Sequence, residues 1–121
     1  MRTILLGCCL LLVSCATTTA THPGAVNAFD STTYDVLLTA QAAIEAAKPL
    51  ATTPALKTAI NAAIQAYDVA ESAYVAYHTA AVAGTATAAQ QSALQTQIGN
   101  LKTSTAALPV NAPATAAKPK Q

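Results

Sequence analysis

Residues 53–84, TPALKTAINAAIQAYDVAESAYVAYHTAAVAG, decide the fold. Thr53 is a good helix cap, and Pro54 fits the first helical position, where its missing N–H costs nothing. Leu56, Ile60, Ala63, Tyr67, Ala70, Tyr74, Tyr77 and Ala81 follow at alternating steps of four and three, which brings them onto one stripe of a helix. Lys57, Asn61, Gln65, Asp68, Ser72 and Thr79 fall mainly on the other side. The pattern predicts one long helix from Pro54 to Val82, ended near Gly84.

Two shorter helices flank it. One is predicted to start at Asp30 or Ser31 and to run to about Lys48, with Asp30 or Ser31 as cap, Asp35 in the first turn and Pro49 as the stop. Its stripe is Thr33, Leu37, Ala40, Ile44 and Ala47. The other is predicted from Thr85 or Thr87 to about Leu108, with Leu94, Ile98, Leu101, Thr105 and Leu108 on its inner face and Pro109 behind it. Gly99 weakens its middle by about 1 kcal/mol relative to alanine. Short connections favour antiparallel neighbours. The expected fold is therefore all-α, an antiparallel three-helix bundle or an open helical hairpin over residues 30–108. Gln41–Ala46 resembles Asn61–Ala66, but an offset of 20 residues puts the two on different faces, so the likeness is one of composition.

Composition limits the core. The chain is 53% hydrophobic, but much of that is alanine, and aromatic residues are only 4%. Alanine favours helix and buries little area. Easily formed helices around a thin core are the expectation. Outside them, residues 15–29, with Thr17–Thr19 and His22-Pro23-Gly24, read as a flexible tether, and residues 109–121, with Pro113 and Pro119, read as a disordered tail.

The beginning of the chain carries an address. Arg2 gives a positive start and Ile4 to Val13 is a short apolar run. As a helix it rises about 15 Å, roughly half the hydrocarbon core of a bilayer, so it can enter an export channel but not comfortably span. Leu12-Val13-Ser14-Cys15 closes the run and resembles the lipobox of bacterial lipoproteins. The resemblance implies that residues 1–14 are removed as a signal peptide and that Cys15 is lipidated and becomes the first mature residue. It further implies a multiply acylated anchor, firmer than a single chain, and an outer-membrane address facing the periplasm, because Ala16 is not the aspartate that tends to retain such proteins at the inner membrane. Three other readings of these residues stay open: a lipobox at Leu5-Leu6-Gly7-Cys8 with a much shorter apolar core, ordinary cleavage between small residues at Ser14 and Ala16, and an uncleaved anchor. Under the Cys15 reading Cys8 and Cys9 leave with the leader, and no thiol remains for disulfide, metal or redox work.

Without Arg2, five lysines balance five carboxylates, which leaves no electrostatic footprint for nucleic acid and no polybasic stretch for anionic lipid. The one candidate for chemistry is Tyr74-Val75-Ala76-Tyr77-His78, with Tyr67 on the same stripe and Glu71 and His78 at its edge. Such a group suits a sugar or a peptidoglycan fragment; the same rings also fill core space that alanine leaves empty, and their spacing favours that packing role. His22 is expected to be solvated in the tether. No His, Cys or carboxylate cluster has metal-ligand spacing, no glycine-rich loop suits phosphate, and no serine has a matched base, so no enzyme activity, cofactor or metal is expected.

The expected function is that of a structural or protein-interaction lipoprotein in the cell envelope, held to the membrane through Cys15, with an envelope protein as partner. Two alternatives accompany it. One is a peptidoglycan- or small-ligand-binding module; here the murein lipoprotein is similar in being a small lipidated helix with heptads, but it ends in the lysine that joins it to the wall, whereas Gln121 follows Lys120 in this chain. The other is a phage-type lysis lipoprotein similar to the outer-membrane spanin, although this chain is longer and more helical than those.

Overall fold

The computed structural model describes residues 22–111. The leader 1–14, Cys15, the first part of the tether and the tail from residue 112 lie outside the described residues. Three helices form the domain: α1 (Ala28–Ala47), α2 (Pro54–Val82) and α3 (Ala88–Ala106). Short 3-10 turns at Lys48–Leu50 and Pro109–Asn111 follow α1 and α3. No strand occurs among the described residues.

Each helix packs on both others, so the fold is a closed bundle rather than an open hairpin. The start of α1 meets the end of α2 through Asp30 and His78, while Ile44 and Ala47 near its other end share a cluster with Ile60 and Ala63 near the start of α2. Leu108, just past α3, joins that same cluster, whereas Leu94 near the start of α3 packs in the cluster that holds Tyr77. The helices therefore run up, down and up.

Periodicity places the core correctly. All five stripe positions of α1 and all five of the third stripe are buried. On α2, Ile60, Ala63, Ala70 and Tyr77 are buried and Leu56, Tyr67, Tyr74 and Ala81 half-buried, while the six polar positions opposite are all exposed. The core has two parts. One holds Leu37, Ala40, Ala70, Tyr77, Leu94, Ile98 and Leu101; the other holds Ile44, Ala47, Ile60, Ala63 and Leu108. Tyr67 packs against both.

Helix ends follow local chemistry. Thr53 caps α2 by accepting the Leu56 N–H at 3.2 Å. At its other end Gly84 takes φ +71°, its N–H reaches the Ala81 carbonyl at 3.1 Å and the Thr85 N–H reaches Ala80 at 2.8 Å, the paired bonds of a Schellman motif. Thr87 and Gln90 form a reciprocal capping box on α3. Threonines at 32, 33, 39, 58, 96, 103 and 105 donate their hydroxyls to carbonyls four residues back, which lets polar side chains sit within helices.

Three boundaries differ from the sequence expectation. α1 starts at Ala28 with Asn27 as its cap, ahead of Asp30 and Ser31, because Asn27 Oδ1 accepts the Asp30 N–H at 2.9 Å. Residues 22–27, read as flexible tether, form a strap bonded to the bundle. Residues 109–111, read as disordered tail, form a 3-10 turn whose approach is fixed by the burial of Leu108.

Candidate functional site

The strap builds one end of the bundle. The Ala25 N–H donates to the His22 carbonyl at 3.0 Å, closing a turn in which Gly24 adopts φ +90°, a conformation that favours glycine. The His22 N–H donates to Ser31 Oγ at 3.0 Å, and the His22 ring pairs through Nε2 with Asp35. Val26 N–H donates to Asp30 Oδ2 at 3.0 Å, and Asn27 Nδ2 donates to the Tyr77 hydroxyl at 3.2 Å.

Asp30 is the centre of this end. It has no exposed surface, and His78 Nδ1 lies 2.9 and 3.0 Å from its two oxygens. A carboxylate only accepts, so the His78 hydrogen in this contact sits on Nδ1 and its remaining nitrogen, Nε2, is left for other partners. The His78 side chain is one-third exposed, at 33%. A buried carboxylate needs such pairing, because desolvation strongly disfavours an isolated charge.

Four rings run side by side across this end. His22 meets Tyr34 edge-on at 5.0 Å between centroids, Tyr34 lies 6.0 Å from Tyr74, and Tyr74 lies 5.7 Å from His78. They line a cleft of about 380 Å³ together with Pro23, Gly24 and Ala25. Burial and the charge and hydrogen bond of Asp30 push the Tyr74 phenol up to about 12. Burial, then the charges of Glu71 and Asp68, also raise Tyr67.

The sequence-marked residues separate here. Tyr74 and His78 line the cleft. Tyr77 is buried, with its ring edge-on to Phe29 at 5.2 Å and its hydroxyl bound by Asn27. Tyr67 sits between the two core clusters. Glu71 is exposed and the acid that partners His78 is Asp30, 48 residues away in sequence. His22, expected to be solvated, is part of the cleft and paired. Cys15 lies outside the described residues.

Tyr34, Asp30 and Asp35 escaped the sequence reading as site residues. Asn27-Ala28-Phe29-Asp30 carried a usable signal, since a capping residue followed three positions later by an acid marks a helix start and would have placed Asp30 against the backbone. Nothing in the periodicity marks Tyr34, which lies off the α1 stripe and is 38% exposed.

The arrangement suits binding more than nucleophilic chemistry. Asp30 orients His78 as it would a general base, but Ser31, the serine of this end, is buried and accepts the His22 N–H. Among the described residues no group of three or more His, Cys, Asp or Glu converges as a metal site requires, and no helix is long and apolar enough to cross a membrane. No family model, curated protein or solved structure matches this chain.

Proposed function

We propose that this chain is a lipid-anchored helical module of the bacterial cell envelope that docks a partner protein, with no catalytic role. The observation that carries the reading is Leu12-Val13-Ser14-Cys15 behind a ten-residue apolar run, followed by a domain that folds from residue 22 onward. Acyl chains on Cys15 would hold it at the outer membrane, facing the periplasm. Six residues, 16–21, join Cys15 to the strap. Their fully extended reach is about 20 Å, so the strap end of the bundle would stay close to the lipid surface.

The outer face of α2 supports docking. Val75 and Val82 are 56% and 65% exposed and stand seven residues apart, which places them on one side of the helix. A helix-on-helix partner takes up side chains at that spacing.

Metabolic labelling with palmitate tests the anchor. The wild-type protein should incorporate label and fractionate with membranes, whereas Cys15→Ala should take up none and keep the longer precursor. Unchanged labelling and mobility in that variant would defeat the proposal. Recovery of one stoichiometric protein from solubilised membranes, lost in a Val75→Asp, Val82→Asp variant, supports docking.

The ring-lined cleft favours a second reading, a module that binds a wall fragment or a small ligand. Cosedimentation with purified peptidoglycan, abolished by Tyr34→Ala, would put that reading first.

A further inference from the structure

We propose that the cleft between the strap and the α1/α2 seam binds the primary ammonium group of a small organic amine, with Tyr34 and Tyr74 as its aromatic walls and His78 Nε2 as its hydrogen-bond acceptor. The inference deepens the ligand-binding reading and stands independently of the lipid anchor.

Three features of the cleft select this ligand class. The first is the wall. His22, Tyr34, Tyr74 and His78 follow one another at 5.0, 6.0 and 5.7 Å between ring centroids, and Tyr34, the outermost tyrosine, is 38% exposed. Ring faces carry negative partial charge and attract a cation seated against them, more strongly where water is partly excluded.

The second feature is charge. Two carboxylates pair with the histidines of the wall: Asp30, fully buried, with His78, and Asp35, exposed, with His22. Among the described residues no lysine or arginine lines the cleft. Lys102 shares the separate groove between α1 and α3 with Asp35. Burial first, and then the charge of Asp30, push the Tyr74 phenol up, so the negative charge of Asp30 is felt at the wall.

The third feature is the hydrogen-bonding group. Asp30 holds the hydrogen of His78 on Nδ1. In the neutral ring Nε2 then carries a lone pair, an acceptor that matches an ammonium N–H. A phosphate or carboxylate ligand would find no lysine or arginine along the described lining, and the α1 N-terminus at this end is already capped by Asn27, which accepts the Asp30 N–H. The volume, about 380 Å³, leaves room for an alkyl group beyond the nitrogen.

The test uses the full chain in detergent micelles, with tyrosine and histidine rings labelled for NMR. Ethylammonium is the probe, ethanol its neutral counterpart and acetate the anion. Ethylammonium should shift the Tyr34, Tyr74 and His78 ring signals saturably, with a Kd on the order of millimolar for so small a ligand. Ethanol should bind about tenfold more weakly and acetate should not bind, as a cation–π site requires. Tyr34→Ala should weaken ethylammonium about fivefold while leaving the helical circular dichroism unchanged, because the ring removed is exposed. Asp35→Asn is the second variant and should weaken binding by removing the negative charge beside His22 while keeping an amide of the same size. Nanodiscs containing phosphatidylethanolamine, set against phosphatidylglycerol, identify the source. Shifts of the same rings in the former assign the amine to a lipid head group; their absence there, with ethylammonium still bound, assigns it to a soluble amine. Equal response to ethylammonium and ethanol overturns the proposal, as does a chitin oligosaccharide that shifts these rings where ethylammonium does not. Palmitate labelling is unaffected by any of these results, so a failure here is distinguishable from a failure of the anchor.

Discussion

The two ends of the bundle are held by different physics. At the end where α1 gives way to α2, Ile44, Ala47, Ile60, Ala63 and Leu108 close a dry aliphatic cluster. At the strap end, Asp30, Asn27, His78, Tyr77, His22 and Asp35 are joined by directed hydrogen bonds spanning up to 50 residues of sequence. Apolar contact is roughly proportional to area and tolerant of angle, so the first end needs only the right faces. The second end needs particular atoms at particular places, since a buried carboxylate that loses its partner keeps its desolvation cost. Every buried side-chain polar atom among the described residues has a partner. The strap end is thus the part of the molecule where sequence changes should be felt as specificity, and the aliphatic end the part where they should be felt as volume.

The largest expected effect lies at the aliphatic end. Ile60 is 4% exposed, and Ile60→Ala should cost about 3 kcal/mol by lost burial and the cavity left behind. Urea unfolding measures it, and a loss below about 1 kcal/mol would mean that this end collapses around the change.

At the strap end, His78→Ala strips Asp30 of its side-chain hydrogen-bond partner. The cost should be about 2 kcal/mol, below the figure for a fully buried pair because His78 is partly open to water. A double-mutant cycle sharpens the contrast. In an Asp30→Asn background the same His78→Ala change should cost well under about 1 kcal/mol, because the buried charge is gone. Additive losses would show that the pair contributes packing only and would erase the difference between the ends.

Gly99 tests the helix that spans both. A methyl group added there meets nothing within 4 Å, and Gly99 lies in helical backbone. Gly99→Ala should therefore stabilise the domain by about 0.5–1 kcal/mol, with a higher thermal midpoint. Destabilisation would locate a close approach on the α1/α3 side.

The smallest effect is a titration. Tyr74 holds its proton more tightly in the folded chain, up to about 12 against an ordinary 10.0. The stability contributed by this shift is fully present below pH 10 and is lost as pH rises through about 12. Tyrosinate absorbance should show Tyr67 and Tyr74 ionising late, with the Tyr74 delay reduced in Tyr34→Ala, Asp30→Asn. A delay unchanged in that variant would assign the shift to burial alone.

How much of this was legible depended on the kind of interaction. The stripes at Thr33–Ala47, Leu56–Ala81 and Leu94–Leu108 predict the helices and nearly the whole core, because helix geometry repeats every 3.6 residues and leaves that period in the sequence. Thr53-Pro54 and Gly84 predict the ends of α2 for the same local reason. The strap was missed because His22-Pro23-Gly24 reads locally as a loop, and its bonds to Ser31 and Asp35 lie on a neighbouring segment. Glu71 and His78 both fall at the edge of the tyrosine stripe in the sequence, but in the fold Glu71 is exposed and His78 meets Asp30 instead.

By itself, then, the sequence determined three amphipathic helices, their order and their inward faces, since each of these is written in the spacing of residues within one helix. Only the tertiary structure decided that the bundle closes, that Asp30 is buried against His78, and that His22, Tyr34 and Tyr74 share a cleft. Those contacts join residues 12 to 50 positions apart, and no periodicity within an element encodes a distance between elements.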